Sequence, residues 1–385
     1  MLPSFERYQQ ASKLSLSVFF GGIIALLFVR ADNYVSDWKF THYLFNYEYG
    51  FIKRGLVGEL FAFFSPNIHF QSVVSFSYLL VIALSVVLVA MWSQVFFKDR
   101  SKAALLLALI AIVSPFTIQH LVYDLGRFDA ITALLALATI GAIKNTKGPS
   151  QFLLVNLLLS TSLLVHEAAF FMFFPLIFAY WLWVEENNAI ISKVVSFIWV
   201  LGLTFYISTQ GLMTQLSLSE HLAILQKTYG NSVVESSLKV LYKGGLIENI
   251  KMTLANTVRP WNLIHHGIMF VLLAPQFYLL FKIIKENKNK LSINANLLLL
   301  ASLSPLALYP LGHDHFRWWS LAITNVFVVL FLLMQQPQFK EQTLSIISKH
   351  SRLVYFIIVS SVVLGPIGIT SSFDSVVDMG RWLLK

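Results

Sequence analysis

Long apolar runs recur along almost the whole of this chain. Runs of that length satisfy their own backbone hydrogen bonds most simply as helices crossing a bilayer. They fall at about 14–30, 71–97, 103–119, 128–143, 151–166, 168–184, 194–209, 264–284, 294–311, 319–335 and 353–370. Most approach the ~20 residues needed to cross a ~30 Å hydrocarbon layer at about 1.5 Å per residue. A soluble domain carries about 25% charged residues, whereas this one has 12%, against 57% hydrophobic. The expected fold is therefore all-α: a polytopic integral membrane protein of about 11 transmembrane helices, with residues 1–385 forming one transmembrane domain. Met1–Ser12 is polar and no small-residue cleavage site follows the first run, so no cleavable signal is expected. The absence of cysteine excludes thiol catalysis, disulfides and Cys-ligated zinc.

Charge sets the orientation. With Arg7 and Lys13 inside, the inner loops become Lys98–Lys102, Lys144–Lys147, Glu185–Lys193, Lys282–Lys290 and Lys340–Arg352. These and the N-terminal tail hold 15 of the 28 Lys/Arg but six of the 19 acids, the asymmetry of the positive-inside rule. The net charge of +9 is scattered between spans, which fits anionic lipid contact and not nucleic-acid binding. The threading turns on 151–184, interrupted only by His166-Glu167. As one helix it would run about 51 Å, too long for an upright span. Two short spans meeting at His166-Glu167 are expected instead. Every histidine but His350, and every aspartate but Asp99, then falls on the outer face.

That face has five polar regions: the first outer loop 31–58, the turn around His120–Asp129, the dipeptide His166-Glu167, a longer loop 210–263, and GHDHFRWWS at 312–320. Residues 51–64 read as an interfacial helix lying along the membrane, and 217–250 as an amphipathic helical stretch. Ionisable residues at membrane depth are costly, so each is a functional candidate by default.

Asp32 and Asp37, just past the first span, can serve as a general base toward an acceptor hydroxyl or simply cap a helix. Their spacing is not the compact Asp-x-Asp of a metal site. Lys53-Arg54 would violate the positive-inside trend, and phosphate recognition explains the violation: Arg forks two oxygens and Lys supplies a compact charge. Glycines at 50, 55 and 58 would let the backbone approach a ligand or another helix closely. In Tyr123–Asp129, Arg127 stands between Asp124 and Asp129, as a phosphate ligand or as an ion-pair network. His166 and Glu167 are candidates for acid–base work in the least polar surroundings of the set.

His313-Asp314-His315 offers three metal ligands in three residues, yet helical zinc ligands are usually spaced by three or four. No cofactor is firmly implied, and a divalent metal stays open. Arg317 with Trp318 fits phosphate and sugar contact, as does Arg259 ahead of Trp261. Together these residues suit a substrate that is part lipid phosphate and part sugar. Cations aimed at the departing phosphate would stabilise the transition state more than the ground state.

This layout resembles the GT-C superfamily of membrane glycosyltransferases, and the O-antigen polymerases that share its general logic. The resemblance rests on an acidic residue in the first outer loop (Asp32 or Asp37), the interfacial helix that follows at 51–64, and a second acidic loop (Asp124 or Asp129). It implies a bacterial inner-membrane enzyme whose active face is periplasmic. Such an enzyme moves a sugar or repeat unit from a polyprenyl-phosphate or -diphosphate donor to a lipid-linked or glycan acceptor. The resemblance also implies arginine roles for Arg127 and Arg259. The small size leans toward a polysaccharide polymerase or a compact sugar transferase. A lipid-linked glycan flippase and a membrane O-acyltransferase are the alternatives.

Overall fold

The computed structural model describes residues 21–29, 34–65, 67–185, 190–242 and 246–373. Among these, all regular structure is helical. The chain is a polytopic membrane protein, but its helices are more broken than the apolar runs suggest. Five are long and apolar enough to cross a bilayer: Phe70–Asp99, Lys102–Tyr123, Gly148–Val165, Ile190–Gln210 and His315–Leu333. Up to seven result if two bent pairs each count as one span, Pro260–Leu272 with Ala274–Lys290 (64°) and Pro337–Lys349 with Ser351–Leu364 (82°).

Among the described residues five to seven spans thus stand beside the eleven expected. The first of those eleven, at 14–30, lies partly outside the described residues, and proline accounts for part of the fragmentation. Proline lacks the N–H that would continue the ladder and disfavours helical geometry in the residue before it. Pro175 opens the Phe174–Val184 helix after a kink at Phe173, and Pro275 lies at the 64° bend. Pro305 starts a short 3-10 turn after the Ile293–Ala301 helix. The run at 128–143 is one helix, Asp129–Asn145, whose 17 residues rise about 26 Å. The stretch 217–250 likewise divides, into Leu218–Tyr229, Glu235–Tyr242 and the start of Leu246–Thr257.

At 151–184 the chain breaks where His166 and Glu167 stand. Gly148–Val165 ends on His166 in extended geometry, and the single turn Ala169–Met172 leads into Phe174–Val184. This break lies beside the first turns of Asp129–Asn145 and His315–Leu333, because side chains from all three meet there. Three helix ends thus gather at one end of the bundle.

A short helix, Asp37–His42, closes over them. Ser36 caps it by accepting from the Lys39 N–H, and Asp37 sits in its first turn, where a carboxylate suits the positive end of the helix. Thr41 Oγ1 accepts from the Val234 N–H at 3.0 Å, and Ser237 Oγ donates to the Trp38 carbonyl at 2.7 Å. The long loop therefore braces this helix from outside. From inside it is braced by Gly55–Phe64. A Cβ on Gly58 would fall 2.0 Å from the Phe45 carbonyl oxygen, so only glycine lets that helix dock against the segment following His42.

Candidate functional site

Six ionisable side chains form one network, with Lys39, Asp124, Asp129 and Arg317 buried and Arg127 and Asp314 half-buried. Arg317 grips Asp129 with both Nε and Nη2 at 2.5 Å, and its Nη1 donates to Asp314 at 2.9 Å. Arg127 Nη1 donates to the same Asp314 oxygen at 2.7 Å, while its Nε lies 3.0 Å from Asp124. Lys39 reaches toward Asp124 at 3.7 Å. Trp38 lies against the Arg127 guanidinium and Trp318 against that of Arg317, at 4.9 and 4.6 Å. At these distances each ring attracts its guanidinium through the negative face of its π-system.

A second pair stands alongside. Arg54 Nε and Nη2 clasp Glu167 at 2.9 and 2.5 Å. Arg54 is a non-glycine residue in the left-handed region, with φ of 63°. That conformation is uncommon for a long side chain and marks a position held by its surroundings. Here the holding contacts are the Glu167 clasp and a backbone bond from the Lys53 N–H to the Gly211 carbonyl at 2.9 Å. Burial lowers the Lys53 ammonium, with Glu167 pulling it partly back up.

Between the two groups lies a cavity of about 300 Å³, counting its open mouth. Its wall consists of Trp38, Lys39, His42, Arg54, Gly126, Arg127, Phe128, His166 and Arg317. All four charged residues in that wall are cations. The carboxylates that neutralise them, Asp124, Asp129, Asp314 and Glu167, stand behind. Gly126, at φ +94°, makes the left-handed turn that lets Arg127 face its partners. Burial opposes ionisation of Glu167, yet Arg54 above all holds it well below the usual carboxylate range. The same contest at Asp314 is decided by Arg127 and Arg317. Four carboxylates thus stand against four basic side chains, and the basic side chains are the ones that line the opening.

The two imidazoles in the wall are neutral. Burial, then Arg54, pushes His166 down to about 3. Burial, then Arg54 and Arg127, holds His42 well below the ordinary imidazole range. His166 Nδ1 accepts from the Ala168 N–H at 3.1 Å, which leaves the ring proton on Nε2. His42 is buried and its Nε2 has no hydrogen-bond partner.

The other candidates scatter. Asp32 lies outside the described residues, and Asp37 is exposed at the start of its short helix. Arg259, expected beside Arg127, is instead the exposed N-cap of Pro260–Leu272 and has no place in the cavity wall. The tripeptide 313–315 does not converge: Asp314 joins the arginines, whereas His315 Nε2 meets Thr257 Oγ1 at 2.9 Å and its ring stacks on Tyr309. His313 is half-buried nearby. Among the described residues no three His, Asp or Glu side chains gather as metal ligands. Trp38, Lys39 and His42 were not singled out from sequence. Their signal was there: 38 and 42 are one helical turn apart, on one face.

A family model described as uncharacterised membrane protein Rv1490 matches residues 14–179. The match covers every residue of the cavity wall except Arg317. No curated protein and no solved structure matches the chain.

Proposed function

We propose that this membrane protein is a glycosyltransferase of the GT-C kind, which takes a sugar from a polyprenyl-phosphate carrier at the periplasmic face of a bacterial inner membrane. One observation carries the reading: a cavity at a helix-end junction whose charged wall is wholly cationic, with its carboxylates withdrawn behind. Such a wall suits an anion, and the apolar helices around it suit a ligand that arrives through the bilayer. Arg54, Arg127 and Arg317 supply fixed N–H donors, and Lys39 a point charge, where negative charge grows on the departing phosphate. Their geometry is set in advance by the acids, so little reorganisation is needed when the bond breaks. Trp38, half-buried in the wall, offers an aromatic surface to a sugar ring.

The group transferred is a sugar or repeat unit, by a transferase or by a polymerase with room for two lipid-linked chains. The acceptor is an envelope glycan or lipid-linked hydroxyl. Purified protein in liposomes, given polyprenyl-phosphate sugar and a glycan acceptor, should release polyprenyl phosphate and glycosylated product in equal amounts. Unaltered donor with every common sugar would defeat the reading.

A further inference from the structure

Proton transfer in this cavity needs a base with a free lone pair, and the wall offers few. Glu167 and Asp129 are each clasped by two guanidinium N–H groups. Asp314 accepts from Arg127 and Arg317 through Oδ2. Asp124 is ion-paired to Arg127 with no hydrogen bond on either oxygen, but neither acid lines the cavity. His166 spends its Nδ1 lone pair on the Ala168 N–H, so it faces the cavity as a donor. His42 alone combines a place in the wall with an imidazole nitrogen that nothing occupies. Its ring is held edge-to-face against Trp38 at 4.2 Å and Phe45 at 5.1 Å. Such packing fixes the ring plane.

We infer that His42 is the catalytic residue that accepts the proton of the incoming acceptor hydroxyl. This rests on the glycosyl-transfer reading above. With the ring proton on Nδ1, the Nε2 lone pair takes the hydroxyl proton as the acceptor oxygen bonds to the anomeric carbon. The bond from that carbon to the phosphate oxygen breaks, and its electron pair leaves on the lipid phosphate, held by the arginines. The proton then passes from His42 to solvent.

The groups facing His42 make it responsive to substrate. Burial first, and then Arg54 and Arg127, disfavour its protonation in the empty cavity, with Glu167 opposing them. An anionic donor would screen those cations, so the base strengthens once the donor is seated.

The test uses the full chain in liposomes, with polyprenyl-phosphate sugar as donor, comparing wild type with His42→Gln, His42→Asn and Asp32→Asn. Donor binding and sugar transfer are measured separately across pH 5–8. The His42 variants should bind donor within about threefold of wild type and lose about 100-fold or more in kcat, the range of general-base contributions. Wild-type kcat should fall on the acid side with one proton, and that fall should vanish in the variants.

Wild-type transfer combined with full kcat in both His42 variants would overturn this assignment alone, most plainly if Asp32→Asn abolishes transfer. No transfer by wild type with any donor would remove the parent reading as well. Should both variants fail to fold, the wild-type kcat profile decides: an acid limb supports His42, and a flat profile excludes it.

Discussion

The two ends of the bundle use the same chemistry to opposite effect. Away from the cavity, Glu185 ends the Phe174–Val184 helix and is closed off completely. Lys147 and Gln151 donate to one carboxylate oxygen at 2.5 and 3.0 Å, and Trp181 Nε1 donates to the other at 3.1 Å. Lys193 takes the Glu185 backbone carbonyl. At the other end Asp129, Asp314 and Glu167 are also bonded, but the cations that bond them line an opening. Both Asp124 oxygens and His42 Nε2 have no hydrogen-bond partner there. A node built for stability saturates every group. A site built for a ligand leaves its capacity turned outward, and the difference lies in which sign of charge faces the empty space.

The largest effect should come from breaking the network from within. Arg317→Leu strips Asp129 of its fork and Asp314 of one of two donors, leaving buried charge uncompensated. The expected loss is about 3–5 kcal/mol, seen as a collapse of folded protein in detergent thermal melts. A variant of wild-type stability would mean that the network is far more hydrated than its burial implies. Glu185→Gln at the opposite end should cost less, about 1–2 kcal/mol, because charge-assisted bonds are weakened while their geometry survives. It should leave lipid-phosphate binding unchanged. Loss of binding there would erase the functional contrast between the ends.

The sequence made the membrane class legible because hydropathy is local: a run of apolar residues declares itself without knowledge of its neighbours. The break at His166-Glu167 was legible for the same reason. Span count was less so, since Pro175, Pro275 and Pro305 fragment runs that hydropathy alone reads as continuous. Pairing was not legible. Arg54 finds Glu167 across 113 residues and Arg317 finds Asp129 across 188. Nothing local to Arg317, which precedes Trp318 and Trp319, distinguishes it from Arg259, which precedes Pro260 and Trp261 but ends up an exposed cap. Lys39 and His42 sit in the aromatic stretch DWKFTH, which reads as an ordinary interfacial segment until the Gly58 contact and the long loop press it over the helix ends.

The central claim is that the cationic wall holds the phosphate of a membrane-borne ligand. Its most direct test is equilibrium binding of polyprenyl phosphate and of the matching polyprenol to the purified protein, over a range of salt concentrations and in wild type against Arg54→Gln. Polyprenyl phosphate should bind at least tenfold more tightly than polyprenol, and the advantage should shrink with added salt and in Arg54→Gln. Equal binding of the alcohol and its phosphate would contradict the account.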